Sequence, residues 1–125
     1  ARAMHLAAIA RDEAAFATAV RKLMQTKAGA FETAIIDYTR RCFEPLFASP
    51  FHVTRPYVRS LVEGMLGLKS LLLNKKSGVT PLPDGILFMN RLQFGFYSVL
   101  ARLDVAVDYA QVERAFLHAS APRAE

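Results

Sequence analysis

Three histidines, one cysteine and a few carboxylates are the groups in this chain whose chemistry could act on a substrate. His5, His52 and His118 are far apart, without the HExxH-type spacing that lets one helix face offer two imidazoles to a metal. Cys42 is the single cysteine, so an intrachain disulfide and a multi-cysteine metal site are both excluded. It falls on an apolar stripe with Phe31, Ile35, Tyr38 and Leu46, where a thiol is a small core residue rather than a nucleophile. Asp37 and Glu44 share that segment but are not placed as an acid–base pair. Ser49, Ser77 and Ser120 lie in loops with no nucleophile-elbow context. Gly64 and Gly67 precede Lys69 without the spacing of a phosphate-cradling loop. The expectation is a chain that is not catalytic by itself, with no metal or cofactor site of its own.

Arg91 is the one charged residue whose position asks for an explanation. It stands inside the stretch Pro81–Leu103, a helix start followed by turns that are apolar almost all the way round. Only Arg91, Gly95, Ser98 and Arg102 interrupt it, as a thin polar or small stripe. A helix apolar on most of its circumference is expected inside an assembly. An arginine buried there is costly unless its guanidinium is paired or reaches out to water. The candidate partners are Asp37, Glu63 and Asp104; the functional alternative is contact with an anionic ligand or an acidic partner.

The elements that would position these residues are helical throughout. Asp12 is a plausible N-cap for a helix from Glu13 to about Lys27, with Phe16, Val20, Leu23 and Met24 on one face and Gly29 as its stop. Met4, Leu6 and Ile9 form the end of an earlier helix. Pro45 ends or kinks the helix that carries Cys42, and Ala48–His52 is the following loop. Thr54 or Arg55 caps a third long helix, with Pro56 tolerated in its first turn and Val58, Leu61, Met65, Leu68 and Leu72 as its apolar face. Ser60, Gly64 and Gly67 form a small-residue face on that helix. Two mid-helix glycines on one face predict close helix approach, with Gly95 as the partner. Lys75, Lys76 and Gly78 read as that helix's C-terminal signal. Asp108 with Gln111 resembles a capping box for a final helix that buries Val112, Ala115 and Phe116. The predicted fold is all-α: five or six helices in an orthogonal, bundle-like array around one nearly fully apolar central helix. Residues 1–119 read as a single helical domain and 120–125 as a frayed tail.

Composition narrows the function classes. The 125 residues are 53% apolar and 22% charged, a globular balance, with a net charge of +5. The basic residues are scattered, and the aromatics follow core periodicity rather than interleaving with arginines, so no nucleic-acid partner is expected. With no leader pattern and no uninterrupted apolar span in these residues, the expectation is a cytoplasmic chain, with a peripheral membrane position as its alternative. Its start inside an apparent helix is what an excised fragment would show.

The order of elements resembles the C-terminal helical part of the UbiB/AarF atypical-kinase-like family, also named for activity of the bc-one complex. The resemblance runs across most of the chain, from Ala10-Arg-Asp-Glu-Ala-Ala-Phe16 onward. It is strongest over Leu82–Leu100, where the family has a proline-led apolar helix, an arginine and then a glycine four residues on, here Arg91 and Gly95. The resemblance implies a link to ubiquinone or isoprenoid-lipid metabolism. It implies a parent protein whose kinase-like N-terminal region, the chain's partner, binds ATP and Mg. The family's nucleotide-binding lysine, catalytic aspartate and asparagine, and metal-binding aspartate all precede this region, so none carries over. Two other classes compete: a stand-alone interaction or dimerisation module, and a domain peripheral to an anionic membrane surface through residues such as Lys75 and Lys76.

Overall fold

The computed structural model describes residues 1–73 and 85–119, apart from the Leu87 side chain. The predicted helix end at Asn74–Gly78, the prolines Pro81 and Pro83 with Asp84, and the predicted tail at 120–125 lie outside the described residues. The fold is all-α. Seven helical segments occur among the described residues: α1 (Arg2–Ile9), α2 (Glu13–Met24), α3 (Ala30–Cys42), α4 (Glu44–Phe47), α5 (Arg55–Leu73), α6 (Ile86–Leu103) and α7 (Tyr109–Ala119). Two short strands, β1 (Phe51–His52) and β2 (Ala106–Val107), pair antiparallel with Phe51 opposite Val107. No period-two alternation announces these strands, because two residues are too few to carry one.

Local chemistry explains most of the boundaries. The Asp12 carboxylate accepts from the Ala15 backbone N–H at 2.9 Å, satisfying one of the orphan donors that open α2. Gln25 ends α2 in the left-handed conformation, earlier than Gly29 suggested. Pro45 sits in the first turn of α4, so α3 stops at Cys42 and the chain bends at Phe43. Thr54 opens α5: its hydroxyl accepts from the Tyr57 N–H. Asp108 caps α7 through the Gln111 N–H at 3.0 Å, and the same carboxylate accepts from the Ser49 hydroxyl at 2.6 Å.

The core lies among α1, α2, α3 and α5. Phe16, Val20, Phe31 and Leu61 are almost completely buried, with Met4, Ile35, Tyr38, Cys42 and Leu68 around them. Phe16 meets Phe43 and Phe47 edge-on, each at 5.2 Å between ring centroids, which locks α2 over the α3–α4 bend. Arg40 fastens the same corner from outside. Its guanidinium bonds Glu13 of α2 at 2.8 Å, pairs with Glu44 of α4, and stacks 3.6 Å from the Phe47 ring centroid. Burial disfavours the Arg40 charge, but bonds to Glu13 and Glu44 outweigh it and raise its pKa.

Two expectations from the sequence are corrected. The apolar helix α6 is peripheral, not central: Ala101 is its one buried residue among those described, while Phe88, Met89, Leu92, Phe96, Val99 and Leu103 are exposed. The first five helical segments already enclose the core, and α6 packs mainly on α5, so it can bury only one side through Ile86, Phe94, Tyr97 and Ala101. Helix α7 turns Ala110, Glu113 and Leu117 inward and leaves Val112, Ala115 and Phe116 exposed. Its rotation is set at its first turn, where the Ala110 N–H bonds the Ser49 hydroxyl at 3.1 Å.

The C-terminal end of α3 is where α5 and α6 attach. The Tyr57 hydroxyl of α5 donates to the Arg41 carbonyl, and the Tyr97 hydroxyl of α6 donates to the Cys42 carbonyl, both at 2.7 Å. The Cys42 carbonyl is one that the end of the helix leaves without a backbone partner, whereas the Arg41 carbonyl also accepts a backbone N–H at the C-cap. Burial pushes the Tyr97 pKa up to about 12, against the opposing hydrogen bond from Gln93. The native chain therefore holds this proton more tightly than the unfolded chain, whose tyrosines titrate near 10. The contribution is complete below about pH 10 and is lost as pH rises through about 12. We expect Tyr97→Phe to cost about 1 kcal/mol in urea denaturation at neutral pH. Its stability should fall less steeply than that of the unsubstituted chain between pH 10 and about 12.

Candidate functional site

Of the groups that the sequence singles out for chemistry, His5 and Cys42 border one cavity and the other described ones lie elsewhere. His5 Nδ1 lies 2.6 Å from a Glu113 carboxylate oxygen, at ion-pair distance but without hydrogen-bond geometry, and its ring meets the edge of Phe43. His52 Nε2 contacts Asp104 at 2.7 Å across the β1–β2 pair. His118 is exposed near the end of α7. Among the described residues no three metal-ligating side chains gather in one place. Ser49 ties the 48–50 loop to α7, and Asp37 is exposed while Glu44 pairs with Arg40. Cys42 is buried, and loss of hydration pushes its thiol pKa up to about 11, the wrong direction for a nucleophile at neutral pH.

Surface shape offers more than side-chain chemistry does. The bare side of α6 overhangs a cavity of about 510 Å³ bounded also by α1, the end of α2, α3 and α5. Its walls include Met4, Ile35, Met65 and Leu68 from the core and Met89 and Phe96 from α6. Polar groups are few: Tyr38, Thr39 and Cys42 on α3, Asn90 and Gln93 on α6, and His5. Thr39 spends its hydroxyl on the Ile35 carbonyl at 2.7 Å, and the Gln93 amide donates to Tyr97. The Tyr38 hydroxyl is buried and has no hydrogen-bond partner. Burial, with the neighbouring Cys42 thiol and Tyr97, raises its pKa far above the ordinary tyrosine value. It is a neutral hydroxyl at any physiological pH.

A second depression, of about 530 Å³, lies between α5 and α6. Val62, Leu66, Phe88 and Phe94 form its floor, and Lys69 and Arg91 border it. This placement corrects the expectation for Arg91. The residue is exposed, and none of the ion pairs among the described residues includes it, so Asp37, Glu63 and Asp104 are not its partners. Because α6 is peripheral, its polar stripe meets solvent and the guanidinium needs no buried carboxylate.

The glycine expectation is also corrected. A Cβ at Gly64 would stand 3.0 Å from Tyr38 Cδ2, so the close approach at Gly64 is made by the ring of α3 and not by Gly95. Gly67 and Gly95 have nothing within 4 Å of the corresponding position. The Tyr38 contact was not readable from sequence, since it joins residues on two helices whose pairing no local pattern encodes.

Comparison with protein-family models, with curated proteins and with solved structures finds no match to this chain. No helix among the described residues is long and apolar enough to cross a membrane. The glycine environments carry a direct test. Gly67→Ala and Gly95→Ala each relieve a helix-interior glycine in open space, and each should add about 0.5–1 kcal/mol in urea denaturation. Gly64→Ala should gain less or lose stability, because the Tyr38 ring must shift to admit the methyl group.

Proposed function

We propose that this chain is the non-catalytic C-terminal helical domain of a UbiB/AarF-type atypical kinase or ATPase, in a protein linked to ubiquinone or isoprenoid-lipid metabolism. In this reading ATP and Mg are bound by the kinase-like region of the same protein, and α6 is the face that packs against it. The observation that carries the reading is the row Leu92, Phe96, Val99 and Leu103, each more than half exposed on one side of a helix whose other side is packed. A contiguous apolar row of that kind marks an interaction surface. The proline-led apolar helix with Arg91 and Gly95 supports the choice of family, as a resemblance in residues. The competing occupant of the same row is a second copy of the chain, which would make it a stand-alone interaction or dimerisation module.

Val99 and Leu103 border neither cavity, so they probe the row alone. With the kinase-like region of the parent protein supplied as a separate chain, we expect co-purification, and its loss in Val99→Glu/Leu103→Glu with the melting temperature unchanged. Co-purification that survives the double substitution would overturn the docking face. A dimer that the same substitutions dissolve, with no binding to the kinase-like region, would favour the second copy.

The border of Lys69 and Arg91 around apolar Val62, Leu66 and Phe88 favours a second reading, peripheral contact with an anionic membrane surface. Each basic residue near such a surface contributes about 1 kcal/mol. Lys69→Met/Arg91→Met should therefore lower binding to vesicles containing phosphatidylserine by about tenfold or more, with little change in stability. Equal flotation of both proteins would remove this reading.

A further inference from the structure

The depression between α5 and α6 is a groove with an apolar bottom and a cation from each helix. Val62 and Leu66 of α5 and Phe88 of α6 are exposed along it, while Met65 and Phe94 lie half-buried. Lys69 comes from α5 and Arg91 from α6, and no acidic side chain lines the groove among the described residues. Helical spacing extends the same sign along both helices: Arg59 shares the face of Val62 and Leu66, and Arg102 shares the face of Arg91. All four cations are exposed, and none of the ion pairs among the described residues includes them. Helix α6 has no Asp or Glu, and Glu63, the one acid of α5, does not border the groove.

Unbalanced cations around an apolar floor select an occupant that brings both carboxylates and apolar side chains. The concave shape selects a helix over a bilayer. A flat surface reaches the protruding Leu66 and Phe88 but not the half-buried Met65 and Phe94. A third helix laid on two packed ones sets its side chains into such a groove. Val62 to Lys69 is two turns of α5, about 10 Å, which matches anchors at i, i+3 or i+4 and i+7. A second copy of this chain brings no such partner: of its helices with bare apolar residues, α6 has no carboxylate, and α7 has only Glu113, which lies against His5. We infer that the α5–α6 groove docks an acidic amphipathic helix of a partner protein. Its apolar stripe rests on Val62, Leu66 and Phe88, and carboxylates on both sides of the stripe pair with Lys69 and Arg91. The site depends neither on the kinase-like region nor on the outer row at Val99 and Leu103.

The test titrates the chain with two helical peptides and follows amide chemical shifts. Both peptides carry leucine at i, i+3, i+4 and i+7; one has glutamate on either side of that stripe and the other has lysine. We expect saturable binding of the glutamate peptide, with shifts centred on Val62, Leu66, Lys69, Phe88 and Arg91, and binding of the lysine peptide about tenfold weaker or more. Lys69→Glu/Arg91→Glu should reverse that preference. Leu66→Ser should weaken the glutamate peptide by about tenfold with the melting temperature unchanged. Val99→Glu/Leu103→Glu should bind it within about threefold of the unsubstituted chain, whatever that variant does to docking of the kinase-like region. Equal affinity for the two peptides, shifts centred on another face, or a larger loss in the outer-row variant would each overturn the inference. Absence of saturable peptide binding would overturn it too, and vesicle binding that still needs Lys69 and Arg91 would then leave the membrane reading in its place.

Discussion

The end of α3 is the joint on which the rest of the chain depends. Pro45 prevents the helix from continuing, so its last carbonyls lose their intrahelical partners just where the chain bends into the core. Two tyrosines from distant helices bond this end: Tyr97 satisfies the Cys42 carbonyl, and Tyr57 adds a second bond to the Arg41 carbonyl, which a backbone N–H already pairs. Their rings meet edge-on at 5.9 Å, so α5 and α6 are positioned by one shared aromatic contact as well as by the two bonds. The Phe16, Phe43 and Phe47 cluster holds α2 over the same bend from the other side.

That joint also explains the form of the candidate site. Helix α6 is anchored by Tyr97 and by its packing on α5, and its other side overhangs α1 and α3 without closing on them. An apolar surface that a central helix would have buried becomes instead the roof of a cavity and a bare outer row. Beneath the roof lies Tyr38, whose ring packs against Gly64 and whose buried hydroxyl neighbours the Cys42 thiol.

Much of the local structure was legible in the residues. Asp12, Thr54 and Asp108 cap the helices they were expected to start, and Pro45 breaks the helix that carries Cys42. Phe31, Ile35, Tyr38 and Cys42 form the buried stripe that their spacing predicts. The errors concern which surface meets which. An almost wholly apolar helix predicts an interior place for α6, and with it a carboxylate or an anionic contact for Arg91, while small size predicts Gly95 against the Gly64 and Gly67 face. Neither inference could see that the space beside Gly64 belongs to a tyrosine of α3.

What this sequence determined alone was the longer helices, the caps of α2, α5 and α7 and the inward stripes of α2, α3 and α5, since caps and periodicity act between residues a few positions apart. The pattern predicts five or six helices, and α4 makes a seventh among the described residues. The apolar character of α6 was equally visible, but not its fate: periodicity reports how much of a helix is apolar, and only tertiary packing decides how much of that is covered. Five helical segments had already closed the core around Phe16 and Leu61, so α6 could bury one side and no more. The solvent-facing position of Arg91 follows from the same cause, and the rotation of α7 follows from the Ser49 bond to its first turn. Each depends on contacts between segments far apart in the chain, which no local pattern specifies.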